Sequence, residues 1–237
     1  STASDVYKRQ EVKEVLNYIF SILPSLFSGA WLTIEIFFWT TVVSIPLGLL
    51  VAFGLHSNLK LVKAILKFYV WIIRGTPLLL QLIFIFYGLP TVGIVFPRYE
   101  AALVAFIINY AAYFAEIFRG GLQAVPVGQF EAAQVLGLSR WQTINRIVRP
   151  QVVKIVLPSI GNELINLVKD SSLVYVIGLG DLLRAGNVAT ARDVSLVPLV
   201  LVGCVYLAMT AVLTALLRVV EKKSNCLLYT SPSPRDR

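Results

Sequence analysis

One stretch of the chain is too long and too apolar for an ordinary soluble domain. Residues 29–55 read GAWLTIEIFFWTTVVSIPLGLLVAFGL, and Glu35 is their only charged side chain. A helix needs roughly 20 mostly apolar residues to cross about 30 Å of hydrocarbon. The whole chain is 57% hydrophobic and 14% charged, whereas a soluble domain is roughly half apolar and about a quarter charged. The sequence therefore predicts a membrane protein.

Four further apolar stretches follow, so we predict an all-α membrane protein with five transmembrane helices. The predicted spans are residues 29–55, 76–89, 99–119, 150–168 and 194–220. The second begins near Thr76, because Arg74, Gly75 and Pro77 interrupt the apolar stretch before it.

The two ends of the chain differ from this membrane domain, which we place at residues 29–223. Residues 11–28 have apolar side chains at helical spacing but are short, and we expect Pro24 to break the helix. We predict that they form an interfacial N-terminal helix. Residues 1–10 and 224–237 differ in polarity from the rest, and we interpret both as non-native flanks.

The basic residues favour one orientation in the membrane. Lys and Arg are concentrated in the segments before the second span, between the third and fourth spans, and after the fifth. Such segments are usually cytoplasmic. We therefore predict an N-terminus outside and a C-terminus in the cytoplasm. The net charge of +8 follows from these loops and does not indicate a nucleic-acid partner.

The sequence lacks the residues that several kinds of functional site require. His56 is the only histidine, and the two cysteines have no metal-binding or disulfide pattern. No G-x-x-x-x-G-K-[ST] motif is present to hold ATP phosphates. We predict no metal site and no cofactor in this chain, and no enzymatic reaction.

Residues 127–138, VGQFEAAQVLGL, predict a short helix on the cytoplasmic side. Phe130, Ala133, Leu136 and Leu138 gather on one side of this helix, and Gly137 permits another backbone to approach closely. Two interpretations remain open on the residues alone: a docking element for a soluble partner, or a helix that lies on the lipid headgroups.

The stretch resembles the EAA loop of the permease subunits of ABC importers. Glu131, Ala132, Ala133 and Gly137 match the motif, and Leu-Pro follows about twenty residues later. RGTPLLLQL at 74–82, AEIFRGGLQAVP at 115–126 and LVKDSSLVYVIGLGDLLR at 167–184 resemble the polar amino acid permease family, to which histidine-, glutamine- and arginine-type permeases belong.

This resemblance implies the fold of type I ABC importer permeases, in the bacterial cytoplasmic (inner) membrane. It also implies a second identical or different permease, cytoplasmic ATPase subunits that bind ATP and Mg²⁺, and an extracytoplasmic amino-acid-binding protein. Residues 127–138 would then be the coupling helix, which moves with the ATPases. Glu131 either pairs with a basic residue of the ATPase or lies at the helix N-terminus, where a carboxylate is favoured.

The fourth predicted span carries the best candidate for substrate binding. Glu163 lies 13 residues after Pro150, roughly 20 Å along a helix. A charged side chain at this depth in the membrane is a candidate functional residue, because burying a charge in hydrocarbon is costly. Asn162 precedes it, and Asn166 shares its helical face. The other interpretation is a structural pair, for example with Lys169. The resemblance adds that permeases for basic amino acids have Asn-Glu at this position.

The third predicted span carries a second polar face. Asn109, Tyr113 and Glu116 follow one another at i, i+4 and i+7, so one side of a helix bears all three. Either they line the transport path or they pack against a neighbouring span; we select Asn109 and Tyr113 as substrate-binding residues.

We therefore predict a permease for polar, preferably basic, amino acids such as arginine, lysine, histidine or ornithine. An alternative is an ion-coupled secondary carrier with Glu163 as its coupling carboxylate. Such carriers usually contain internal repeats, which are not visible in this sequence. A membrane scaffold without transport activity would have no need for Glu163.

Overall fold

A computed structural model describes the backbone of residues 2–224 and the side chains of residues 13–224. In this part of the chain all regular elements are helices and no β-strand occurs, which confirms the predicted all-α class. The α-helices are α1 (Thr2–Leu55), α2 (Lys60–Arg74), α3 (Leu78–Ile83), α4 (Arg98–Gln123), α5 (Val127–Val135), α6 (Arg140–Thr143), α7 (Arg149–Asp170), α8 (Leu182–Asp193) and α9 (Val197–Lys223). π-Helical turns follow α3 at Phe84–Gly88 and α6 at Ile144–Val148, and 3-10 helices cover Leu89–Val92 and Ser171–Ile177.

Three described helices, α1, α4 and α9, are long and apolar enough to cross a membrane by themselves. A fourth span is possible if α2 and residues 78–92 are taken together, although they are bent by 105° at the break between them. The predicted fourth span corresponds to α7, whose 22 residues have sufficient length but include several charged and amide side chains. Length and composition thus support three or four spans, and the count of five stays a prediction.

The N-terminal segment does not form a separate helix. Helix α1 continues through Pro24 without a break, and at 1.5 Å per residue its 54 residues extend about 81 Å. Ile22 and Leu26 are buried against a cluster that includes Leu182 and Val202 of α8 and α9. The expected break at Pro24 was wrong, because this packing holds the helix on both sides of the proline; whether residues 11–28 lie at the interface stays a prediction. The predicted flank 224–237 lies outside the described residues except for Ser224.

Helix α4 is the centre of the fold. Its aromatic residues Phe106, Tyr110 and Phe114 are fully or almost fully buried in the largest apolar cluster. Helix α1 crosses it at very short distance at Gly48, where a Cβ atom would lie 2.7 Å from the Cβ of Phe114. Small residues at such crossings let helix backbones approach closely in membranes. The α1–α4 pair therefore forms a tight frame for the remaining helices.

Helix α9 packs on α7 and α8 along one side only, and most of its surface is exposed. Pro198 and Val202 are its only buried residues, although its composition is strongly apolar. A helix with an apolar and mostly exposed surface must face lipid or another membrane subunit.

Candidate functional site

Residues from α4, α7 and the start of α3 line a cavity of about 430 Å³. We call it the polar cavity. Four of the five predicted substrate-binding residues line it: Glu163 and Asn166 on α7, and Asn109 and Tyr113 on α4. The structure thus brings together two groups that lie about fifty residues apart in the sequence.

Asn162, the fifth predicted residue, does not line the polar cavity. Its side chain is exposed. Consecutive residues of an α-helix point about 100° apart because one turn contains 3.6 residues. Asn162 therefore faces a different direction from Glu163, its neighbour in sequence.

Asp170 is a second carboxylate in the polar cavity that the sequence analysis did not select. The hydroxyl of Tyr110 donates a hydrogen bond to its Oδ2 atom at 2.8 Å. Asp170 follows Glu163 by seven residues on α7, so the two share a helical face at about 10.5 Å along the axis. This spacing was a usable signal, but the predicted span ended at residue 168 and Asp170 was assigned to the next loop.

Asn109 binds a neighbouring side chain instead of being free towards the cavity. It is 4% exposed, and its amide donates to Oε1 of Gln81 at 3.0 Å. The amide nitrogen of Gln81 donates in turn to the carbonyl of Ile73 at 2.8 Å and to the hydroxyl of Thr76 at 2.8 Å. Gln81 therefore ties together the break between α2 and α3, and Asn109 holds Gln81 in place.

Tyr113 separates the polar cavity from a second, larger cavity of about 800 Å³. The second cavity lies at the C-terminal ends of α1 and α4, on the side of the molecule where α5 follows, and basic residues dominate its charged lining. We call it the basic vestibule. The guanidinium carbon of Arg74 lies 5.3 Å from the centre of the Tyr113 ring, within the range of a cation–π interaction. Tyr113, which lines both cavities, forms the boundary between them, and Arg74 lies over its ring on the vestibule side.

Glu116 belongs to the basic vestibule, not to the polar cavity. Nη2 of Arg119 lies 2.6 Å from its Oε2 atom, and Nη1 of Arg74 lies 3.6 Å from the same atom. The face predicted for Asn109, Tyr113 and Glu116 thus exists, but it extends past the boundary between the cavities.

The predicted coupling helix corresponds to α5, which is shorter than expected. It ends at Val135, and Leu136 is its C-cap. Glu131 and Ala132 are exposed, whereas Ala133 is 1% exposed and fixes the helix to the rest of the chain. Glu131 forms no ion pair with another described residue, so its carboxylate is accessible to a partner.

Gly137 lies just beyond the helix, with a φ of +67°. The N–H of Leu138 donates to the carbonyl of Ala133, and the N–H of Gly137 donates to that of Gln134, both at 3.0 Å. This is the Schellman pattern, in which a glycine adopts the left-handed conformation after a helix. The expected role in close approach is not seen within the chain, because a Cβ atom at Gly137 would meet no heavy atom within 4 Å.

Apolar side chains surround α5 on the outside of the molecule. Val127, Val135, Leu136 and Trp141 are 71%, 88%, 74% and 73% exposed. Exposed apolar side chains that cluster on a surface mark an interaction site. After α5, Ser139 and Gln142 form a capping box at the start of α6, the short helix that carries Trp141.

Comparison with known proteins identifies a matching family. Residues 44–225 match the model of the family described as binding-protein-dependent transport system inner membrane component. The chain is 36% identical over 203 residues to an arginine transport system permease protein of Bacillus subtilis, with 85% of this chain and 93% of that protein covered. It is 31% identical over 214 residues to a putative glutamine transport system permease protein of Rickettsia conorii, with 88% and 98% covered.

Solved structures support the same grouping. A crystal structure of an amino acid ABC transporter with histidines has a TM-score of 0.82 and 35% identity, and the match covers 87% of this chain and 97% of that chain. An inward-facing structure of a methionine ABC transporter has a TM-score of 0.70 at 20% identity, covers 86% and 98%, and supports the fold alone. The resemblance that the sequence motifs indicated is confirmed.

Proposed function

Because this chain belongs to the family of binding-protein-dependent transport system inner membrane components, we propose that it is the permease subunit of an ATP-driven importer of basic amino acids. Like the permeases that it resembles, it is a transport component and not an enzyme. ATP is hydrolysed by a separate ATPase subunit.

The negative charge of the polar cavity is the observation that supports a basic amino acid as the substrate. Its lining contains the carboxylates of Glu163 and Asp170 and, among the described residues, no Lys, Arg or His. A basic amino acid has an α-ammonium group and a second cation at the far end of its side chain. Two carboxylates separated by two helical turns suit such a ligand, whereas glutamine has only one cationic group.

We assign the polar residues around the carboxylates two different roles. Asn166 and Tyr113 are directed to the same cavity and suit the polar groups of the substrate. Asn109 acts through Gln81 on the break between α2 and α3, so we assign it a positioning role. Asn162 has no role in binding in this proposal.

The partners follow from the family and from the exposed surfaces. Helix α5 and the apolar side chains around it dock into an ATPase subunit on the cytoplasmic side. The apolar surface of α9 faces a second permease or lipid. An extracytoplasmic binding protein delivers the amino acid on the opposite side, and the N-terminus of α1 lies on that side.

Transport proceeds by alternating access to the polar cavity. In the structure Tyr113 lies between this cavity and the basic vestibule, with Arg74 over its ring on the vestibule side. Movement of α5 with the ATPases would shift α4, which ends just before it, and so displace Tyr113. The substrate then leaves through the basic vestibule.

Replacement of Glu163 by Gln tests the assigned site. The complex with its ATPase and binding protein is reconstituted in liposomes, and uptake of labelled arginine and glutamine is measured. Loss of a charged partner inside an interface costs roughly 2–5 kcal/mol, so we expect the apparent affinity for arginine to fall by about 30-fold or more. Glu100→Gln is the matched control, because Glu100 is exposed at the start of α4 and does not line the cavity.

Unchanged arginine uptake by Glu163→Gln, with normal assembly, would remove this site from the proposal. The family match does not favour an ion-coupled carrier. Uptake that persists without ATP under an imposed proton or sodium gradient would nevertheless require that mechanism.

A further inference from the structure

The basic vestibule has an excess of positive charge. Its lining includes Lys63, Lys67, Arg74 and Arg119, and Glu116 is the only carboxylate that the described residues contribute to it. That carboxylate is already engaged by both arginines. Lys63 and Lys67 therefore have no carboxylate partner among the described residues, although they lie one helical turn apart and face the same cavity.

Helix α2, which carries both lysines, has two opposite faces. Val70 lies on the same face as Lys63 and Lys67, because the three residues are spaced i, i+4 and i+7, and all three line the basic vestibule. Val70 is buried with Ala112 and Ala115 of α4, so this face packs on the protein at its C-terminal half.

The opposite face of α2 is apolar and exposed. Its residues are 41–74% exposed and follow the spacing of one helical face: Leu61, Ile65, Phe68 and Ile72. Trp71 lies between this face and the basic one, is 69% exposed, and contributes to the lining of the vestibule. An apolar face, a basic face and an aromatic side chain at their border are typical of a helix at the membrane surface.

The direction of α2 agrees with that location. Residues 78–92 form the apolar segment of the broken pair, and α2 is bent from it by 105°. If residues 78–92 run along the membrane normal, α2 lies almost parallel to the membrane plane, beside the half of α4 that carries Ala112 and Ala115. The basic vestibule then opens at this level, on the side of α5.

We propose that the basic vestibule binds the phosphate headgroup of an anionic phospholipid. Lys63 and Lys67 bind the phosphate, and the acyl chains extend past Trp71 to the exposed apolar face of α2. Basic pockets between membrane helices on the cytoplasmic side are suited to such headgroups. A soluble phosphate compound has the same charge but would leave the apolar face without a ligand, so the structure favours the lipid.

Lipid binding to the purified complex tests the proposal. The permease with its ATPase is placed in phosphatidylcholine nanodiscs at about 0.15 M salt, where charges more than about 8 Å apart are screened. Bound phosphatidylglycerol is titrated by native mass spectrometry. We expect Lys63→Gln/Lys67→Gln to weaken binding by about 30-fold, because each lysine near the surface contributes about one factor of five.

A matched double variant controls for the general loss of charge. Lys60→Gln/Lys222→Gln removes the same net charge from α2 and from the end of α9, but neither residue lines the vestibule. We expect it to weaken binding by less than about 5-fold. Lys63→Arg/Lys67→Arg retains both charges and should retain binding, and ATPase retention during purification reports correct assembly of every variant.

Three results would overturn the proposal. One is equal loss of phosphatidylglycerol in the two Gln double variants, which would indicate diffuse attraction. Another is a wild-type complex that binds phosphatidylglycerol no better than phosphatidylcholine. The third is displacement of the lipid by millimolar inorganic phosphate alone, which would assign the site to a soluble phosphate compound.

Discussion

Replacing Gly137 by alanine and, separately, by asparagine tests why this glycine follows the coupling helix α5. The residue has a φ of +67°, and a Cβ atom there would meet no heavy atom of the chain within 4 Å. Within this chain, the free-energy cost of either substitution therefore arises from the strained backbone conformation and not from a steric clash. A partner that approaches closely at this point would add a steric cost, which the isolated chain does not reveal.

The two explanations predict opposite orders of severity. The left-handed conformation costs an ordinary L-residue about 1–2 kcal/mol, whereas asparagine adopts it more readily because its side chain hydrogen-bonds locally. A strain of this size changes the population of the ordered turn by about 5–30-fold. If conformation is the reason for the glycine, Ala is worse than Asn. If space for a partner is the reason, Asn is worse, because its side chain is larger.

The assay is substrate-stimulated ATP hydrolysis by the reconstituted complex, together with the amount of ATPase retained in purification. Gly128→Ala is the control: Gly128 lies within α5, and a Cβ atom there also meets nothing within 4 Å. Without a positive φ, this change should be neutral or should stabilise the helix by up to about 1 kcal/mol. If Gly137→Asn and Gly137→Ala both show wild-type stimulation, both explanations and the importance of this position are refuted.

Three further predictions concern the cavity, the fold and pH. Asp170→Asn should lower the affinity for arginine by about 30-fold and leave glutamine binding little changed; competition against labelled arginine measures both. Gly48→Ala should destabilise the complex by about 1–3 kcal/mol through overpacking, seen in thermal unfolding, while Gly203→Ala in α9, where a Cβ atom has open space, should not. The hydrogen bond from Arg192 lowers the pKa of Asp193 from 3.8 to about 2. This pair therefore stabilises the folded protein above about pH 4, and the stabilisation is lost as the pH falls towards 2. The difference in unfolding free energy between wild type and Asp193→Asn should vanish over that pH range.

The lengths of the apolar stretches in the sequence predicted the long helices well but predicted the breaks between helices poorly. The third predicted span, residues 99–119, corresponds closely to α4 (Arg98–Gln123). The apolar residues within this segment are sufficient to predict a helix without knowledge of its neighbours. Arg74, Gly75 and Pro77 marked an interruption in the second stretch. The 105° change of direction, however, is accompanied by hydrogen bonds from Gln81 to Ile73 and Thr76, which the sequence does not show. Pro24 gave the opposite error, since tertiary packing of Ile22 and Leu26 outweighed its tendency to end a helix.

The candidate site was predictable where helical spacing alone determines the direction of a side chain. Glu163 and Asn166 lie together because they are three residues apart on α7. Asn109 also lines the polar cavity, but its hydrogen bond to Gln81 depends on which helix packs beside it, and the sequence does not show that. For Gly137 the sequence indicated that a glycine was needed, and the physical reason is its φ and not a contact inside the chain.

The sign of the charge reverses along the proposed transport path. In the part of the chain that the structure describes, the polar cavity contains two carboxylates, and the basic vestibule contains four cationic side chains and one carboxylate. Tyr113 lies between the two cavities. A cationic amino acid is thus attracted to the cavity and repelled by the vestibule, which opposes binding from the cytoplasm and favours import. The same repulsion would slow release towards the cytoplasm. A phospholipid phosphate at Lys63 and Lys67 would reduce it, so the proposed lipid site and the proposed substrate class are physically linked: a higher content of anionic lipid should accelerate uptake of arginine more than uptake of glutamine.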